Sequence, residues 1–224
     1  MKLTAYISIL LASATATITS CSDNEGEPTS EATVYDIVCL ASVDKSGSSY
    51  TLTRPLDSEL ITYRSREIMD TSRVKVGNRF MLAYRPDGGE PYVSGTIRPI
   101  GYSLVTNDTL RRGYISKIAD WDRDPVYLLS NWMSQDYLNL RARLPYDTRP
   151  RTLAVMVDSL TLDAEYPDCY LIHRLETPVN TFDRSYYLSF DMSWLRKLDN
   201  CHGFDLILNN SNLKTDRYRY ELRN

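Results

Sequence analysis

From Thr33 onward, apolar and polar residues alternate in short runs, the period-two pattern of strands that bury one face. Val34 to Val43 carries Val34, Ile37, Val38, Leu40 and Val43 and reads as a strand. Asp44 to Ser49, with Gly47 between serines, reads as a turn, and Tyr50-Thr51-Leu52-Thr53 answers it as the second arm of a hairpin. Asp57-Ser58 breaks the pattern before a short third strand, Leu60 to Tyr63. Asp70 to Lys75 fits a helical turn, and Arg79 to Tyr84 alternates again. Pro86-Asp87-Gly88-Gly89 is a turn. Tyr92 to Ile100 and Tyr102 to Thr106 make one long last strand, with a bend or bulge expected at Pro99 and Gly101. Five short strands in so compact a stretch suit a small barrel of the OB type.

Asn107 to Arg112 is polar, and the pattern restarts after it. Tyr114 to Ile118 is a weak strand and Asp120 to Pro125 a corner. Stronger runs follow at Val126–Met133, Tyr137–Leu144, Thr152–Leu162, Cys169–Leu175, Tyr186–Met192, Gly203–Asn210 and Arg217–Leu222. In Tyr137–Leu144 the residues Leu138, Leu140, Ala142 and Leu144 share one face, so Asn139, Arg141 and Arg143 point away from it. Ser193 to Leu198 is the one helical piece after the leader, with Ser193 as its cap and Trp194 and Leu198 on one side. This spacing predicts a two-sheet antiparallel sandwich, immunoglobulin-like in architecture but without the Cys…Trp…Cys pattern of antibody domains. The expected fold class is all-β, with an OB-like barrel over 33–108 and a β-sandwich over 109–224.

The N-terminal stretch changes the picture from fold to location. Lys2 supplies a positive start, Ile7 to Ile18 is apolar or small, and Ile18-Thr19-Ser20-Cys21 reads as a lipobox. The apolar run falls short of the roughly 20 residues a spanning helix needs. Residues 1–20 are therefore expected to be a lipoprotein signal peptide, with Cys21 carrying the lipid. Residues 21–32 are polar and acidic with Gly26 and Pro28, a tether that holds the folded part off the membrane. Such an acidic run after the lipidated cysteine resembles the surface-export signal of Bacteroidota lipoproteins. The expected site is the cell envelope, on the outer membrane and facing the surface.

Charge and candidate chemistry narrow the function only by exclusion. With 26 basic against 29 acidic residues the net charge is −3, which lacks the electrostatic footprint of a nucleic-acid binder. Of the four cysteines, Cys21 belongs to the anchor, and Cys39, Cys169 and Cys201 remain. Cys169–Cys201 is the plausible pair if one forms; free or buried thiols are the favoured reading. The two histidines are His173, inside a strand and expected to be a satisfied half-buried ring, and His202, in a loop. Asp120, Asp122 and Asp124 alternate around Trp121, but the glycine and later glutamate of a calcium loop are missing, so a solvated corner is expected. No nucleophile elbow, HExxH, GxGxxG or Walker loop occurs. Tyr63, Tyr84, Tyr92 and Tyr102 belong to the barrel, where covering its outside is the expectation and stacking on a ligand the alternative.

The layout resembles the NigD-like lipoproteins of Bacteroidota. Lys75-Val76-Gly77-Asn78-Arg79-Phe80-Met81-Leu82-Ala83-Tyr84, Tyr166-Pro167-Asp168 running into a strand, and Gly203-Phe204-Asp205-Leu206-Ile207-Leu208-Asn209 carry the likeness. The resemblance implies a lipobox, an OB-like domain, a β-sandwich and a link to bacteriocin immunity, and it brings no functional residues with it. The expectation is a non-catalytic envelope lipoprotein without cofactor, metal or nucleic acid, bound to the membrane through Cys21 and acting on an envelope protein; a carbohydrate-binding surface lipoprotein is the alternative.

Overall fold

The computed structural model describes residues 32–54, 59–88, 90–177 and 181–222, all within one compact unit that starts at Ala32. The signal peptide, Cys21 and nearly all of the tether lie outside the described residues, as does the Asp57-Ser58 break.

Strands β1 (Val34–Asp44), β2 (Gly47–Thr53), β3 (Leu60–Ser65), β4 (Arg79–Pro86) and β5 (Gly95–Leu104) close into a barrel in the order β1-β2-β3-β5-β4. Its pairs are antiparallel except β3 with β5. One long strand must serve two neighbours for such a barrel to close. β1 pairs with β4 through Val34–Cys39 and with β2 through Cys39–Asp44, and the register shifts between Leu40 and Ser42, where the extra residue Ala41 bends the strand. The bulge expected on β5 is present: Ala83 faces Gly101 and Tyr84 faces Pro99, leaving Ile100 unpaired. Val38, Leu40, Tyr50, Leu52, Ile61, Tyr63, Phe80, Leu82, Tyr84 and Ile97 fill the interior, with Met69 and Val74 of the β3–β4 connection packed against them.

β6 (Thr106–Thr109), β12 (Asp183–Asp191), β9 (Tyr137–Pro145) and β8 (Tyr127–Ser134) form one sheet of the sandwich in that order. β14 (Arg217–Glu221), β13 (Gly203–Ile207), β11 (Asp168–Leu175), β10 (Arg151–Asp158) and β7 (Arg111–Gly113) form the other. The chain crosses between sheets at Leu110, which is buried in the shared core and donates its N–H to the Asp191 carbonyl. The antiparallel pairs of the sandwich are joined by parallel ones, β6 with β12, β7 with β10 and β11 with β13.

Several local expectations give way. Thr106 belongs to the sandwich rather than to the last barrel strand, so the expected boundary at 108/109 falls inside β6. Asn107 and Asp108 looked like linker because edge strand β6 has few apolar residues to signal it. Tyr114–Ile118 is a 3₁₀ turn, Ile115–Lys117, not a strand. Ser193–Lys197 is likewise 3₁₀, and Ser193 does not cap it: the Asp191 carboxylate accepts the Ser193 N–H at 2.8 Å, and Leu195 is the fully buried side chain. The β1–β2 turn needs only Lys45 and Ser46, because Asp44 already pairs with Gly47. Cys39, Cys169 and Cys201 are all free thiols.

The outer face of the β6-β12-β9-β8 sheet packs on the outer faces of β1 and β4. Ile37, Met81 and Val105 from the barrel side form a small apolar cluster with Trp132 and Tyr187. Asn139 points away from the sandwich core, as its alternation requires, yet it is fully buried here. Its Oδ1 accepts from Ser189 Oγ at 2.9 Å and from Arg79 Nη2 at 3.3 Å. Ser134 Oγ donates to the Thr53 carbonyl at 3.3 Å, a further bond across the junction.

Candidate functional site

The barrel exposes a polar cleft of about 800 Å³ across the outside of β2, β3 and β5. Alternation builds it: Tyr50, Ile61, Tyr63 and Ile97 turn inward, so Ser49, Thr62, Arg64, Thr96 and Arg98 turn outward. Asp44 and Ser46 of the β1–β2 turn close one end, and Arg66, Glu67 and Asp87 stand at its margin. Asp44 accepts from Ser46 N–H at 2.7 Å and from Ser46 Oγ at 2.5 Å, and these bonds hold its carboxyl below the usual range. Ser42 Oγ and Ser49 Oγ lie 2.7 Å apart across the hairpin. The backbone that frames the cleft is pinned by Ser48 Oγ, which accepts the Met69 N–H at 2.7 Å, and by Ser65 Oγ, which accepts the Glu67 N–H at 3.0 Å. The cleft thus combines fixed hydroxyls with interleaved charges of both signs and no aromatic ring.

The barrel tyrosines are not on that surface. Tyr63 and Tyr84 are completely buried in the barrel interior with ring centroids 4.9 Å apart, and Tyr92 and Tyr102 pack half-buried against the same core. Both the outside cover and the stacking surface expected of Tyr63 and Tyr84 are therefore corrected. Period-two counting from Ile61 places the Tyr63 ring inside, and from Leu82 the Tyr84 ring; the polar tip of tyrosine had suggested otherwise. Their hydroxyls need partners in that interior, and Asp36 supplies one. Tyr84 donates to Asp36 Oδ2 at 2.8 Å and Tyr92 to Asp36 Oδ1 at 3.1 Å. The Tyr63 and Tyr84 hydroxyl oxygens are 2.9 Å apart, and the Tyr63 oxygen accepts the Tyr92 N–H at 3.0 Å. Tyr84 has a single proton and gives it to Asp36, so Tyr63 must donate to Tyr84. Burial raises the Asp36 carboxyl above its ordinary value, against the two phenol bonds that lower it. Burial and the nearby Asp36 charge push Tyr92 up to about 12.

Beside this network a groove of about 290 Å³ runs along the barrel–sandwich junction. Tyr35, Asp36 and Tyr92 line it from the barrel, and Trp132, Arg141 and Tyr187 from the sandwich. No local pattern in the chain signals this grouping, because its residues come from the barrel and from the sandwich sheet and meet only where the two pack.

The other candidate residues have structural partners. His173 is buried, with Nδ1 3.1 Å from the Asp124 carbonyl, and desolvation lowers its pKa. Asp124 takes the Leu175 N–H at 2.7 Å and pairs with Arg123 at 2.9 Å, so its carboxylate is committed to the corner. Among the described residues no three His, Cys, Asp or Glu side chains are grouped for a metal. Burial pushes the Cys169 thiol well up, and Cys201 Sγ donates to the Gly203 carbonyl at 3.0 Å. The His202 ring lies edge-on to the Tyr166 ring, with centroids 6.5 Å apart.

No described protein family matches the sequence, and no curated protein does. Solved structures do share the fold. A protein of unknown function from Bacteroides vulgatus is 16% identical, with a TM-score of 0.68 over 85% of this chain and 90% of its own. A NigD-like immunity protein from Bacteroides caccae is 13% identical, with a TM-score of 0.58 over 84% of this chain and 92% of its own. A candidate lipoprotein from Bacteroides fragilis is 8% identical, with a TM-score of 0.59 over 86% and 99%. The likeness to NigD-like proteins expected from the residues is thus present in the fold.

Proposed function

We propose that this chain is a non-catalytic lipoprotein of the cell envelope, anchored at Cys21 to the outer membrane and facing the surface, whose barrel cleft recognises a partner protein. The observation that carries the reading is the mixed-charge, hydroxyl-lined face of β2, β3 and β5. Arg64 and Arg66 make no ion pair among the described residues, while Asp44, Glu67 and Asp87 stand close by. Interleaved charges of both signs favour a complementary protein surface over the uniformly negative backbone of a nucleic acid. The shared fold with a NigD-like immunity protein supports a narrower version, in which the partner belongs to a bacteriocin system.

The test is capture of partners from native envelope by the full-length protein and by Arg64→Glu. Loss of a specific captured protein in the variant supports the reading, and identical captures overturn it. For the immunity version, cells with and without the gene are challenged with bacteriocin, and equal survival removes it. Carbohydrate binding is the second reading. The barrel face has no ring to offer a sugar, but the junction groove is walled by four, and that observation favours it.

A further inference from the structure

We infer that the groove between β1 and the β8–β9–β12 layer is a binding site for a short saccharide. The apolar faces of a pyranose would pack on Tyr35, Trp132 and Tyr187, and its hydroxyls would be met by Asp36 and Arg141. The site is separate from the barrel cleft and does not depend on how that face is used.

Four observations support it. First, aromatic rings are gathered where the fold does not require all of them. Trp132 and Tyr187 contribute to the junction cluster with Ile37 and Met81, but Tyr35 is 65% exposed and does not belong to that cluster. A large ring left in water at the mouth of a groove serves contact with something else better than it serves the core.

Second, polar groups of both kinds face the same space. The Asp36 oxygens each accept one phenol proton, from Tyr84 and Tyr92, and each retains a further acceptor position. Arg141 has no acidic partner among the described residues, and its guanidinium carbon sits 5.6 Å from the Tyr187 ring centroid. A sugar hydroxyl both donates and accepts, so a carboxylate and a guanidinium on one wall suit it.

Third, the carboxylate is held before any ligand arrives. Tyr84 and Tyr92 fix it from opposite oxygens, and Tyr92 is itself held in the left-handed region at φ +63°, a backbone state that a tyrosine rarely adopts. Pre-set polar groups reduce the ordering cost of binding.

Fourth, the volume, about 290 Å³, lies at the small end of the roughly 300–1,000 Å³ typical of ligand pockets, which suits one or two sugar rings.

The experiment is a glycan array probed with full-length protein in a zwitterionic, sugar-free detergent. Calorimetry with the best array glycan then compares wild type, Tyr35→Ala, Arg141→Ala and Arg64→Ala. Both Tyr35 and Arg141 are exposed, so their truncation leaves the core intact. The expected result is at least a tenfold loss of affinity for Tyr35→Ala and for Arg141→Ala, with Arg64→Ala unchanged. Binding of no array glycan, or wild-type affinity in both groove variants, overturns the proposal. Loss of affinity in Arg64→Ala alone would move sugar binding to the barrel cleft and also overturns it.

Discussion

The guanidinium of Arg79, on β4, lies over the ring of Tyr137, on β9, with its carbon 4.0 Å from the ring centroid. This contact joins barrel to sandwich, and its energetics are uneven. Arg79 is 8% exposed and, among the described residues, pairs with no carboxylate and leaves its buried Nε without a hydrogen-bond partner. Burial accordingly lowers its pKa to about 10. The ring face and the Asn139 side chain offset part of the desolvation cost.

The prediction is an asymmetry. Arg79→Met removes the charge together with its needs and fills similar volume, so urea denaturation should find it within ~1 kcal/mol of wild type. Asn139→Leu keeps the guanidinium and removes its acceptor, and it also strands the Ser189 hydroxyl, so a loss of about 2–4 kcal/mol is expected. Equal losses in the two variants would contradict this account.

Inside the barrel, Tyr84→Phe deletes the proton that Asp36 Oδ2 accepts and leaves the Tyr63 hydroxyl without its acceptor. A cost of about 1–3 kcal/mol at neutral pH follows from an unsatisfied buried group. The cost should depend on pH. The Tyr84 bond lowers the Asp36 pKa, so it stabilises the ionised carboxylate. Its contribution is complete only above the still higher Asp36 pKa of the variant, which lacks the bond, and fades as pH falls from there through the native value, itself raised from 3.8. Denaturation curves of both proteins should therefore draw closer from neutral to acid pH, leaving the part of the gap due to the stranded Tyr63 hydroxyl.

The period-two rule made the barrel strands legible, including the bulge expected at Pro99 and Gly101, which falls on Ile100 between them. It failed where residue type was allowed to overrule position, as with Tyr63 and Tyr84. It also failed where strands are short and polar: β6 has no buried residue of its own, so only its pairing with β12 identifies it. The outward residues of the cleft, such as Thr62 and Arg64, follow from the same alternation once the inward set is known. The junction groove does not, because Tyr35 and Trp132 are far apart in the chain and belong to different layers.

His173 gives the second pH-dependent prediction. Its Nδ1 faces a carbonyl oxygen and so carries the proton, while Nε2 is buried with no partner among the described residues. Burial lowers its pKa from 6.5, so the neutral ring is the folded form. The unfolded chain takes up a proton as pH falls below 6.5 and the folded chain does so only at lower pH, so stability drops across that window. His173→Gln keeps a donor for the Asp124 carbonyl and cannot titrate. Its loss of stability between pH 7 and pH 5 should be smaller than that of wild type, measured as the shift in urea midpoint; parallel curves would show that other groups set the slope.

Two glycines with positive φ separate strain from collision. Gly77, at φ +88°, lies in the connection between β3 and β4, and a Cβ there would meet nothing within 4 Å. Gly77→Ala should therefore cost only the backbone term, about 1 kcal/mol. Gly47, at φ +140°, opens β2 immediately after the tight turn, and its Cβ would come within 1.9 Å of the Ser65 carbonyl oxygen. That oxygen belongs to the β3 backbone, so it cannot swing aside as the tip of a side chain would. Relieving the overlap means separating β2 from β3 at their paired end, where Ser48 faces Ser65 and Ser48 Oγ holds the Met69 N–H. The strain and the lost pairing combine to an expected ~3 kcal/mol or more for Gly47→Ala. Thermal melts of the two variants, recorded side by side, should show a drop for Gly47→Ala at least twice that for Gly77→Ala. A similar drop in both would mean that the β2–β3 edge yields more easily than its backbone contacts imply.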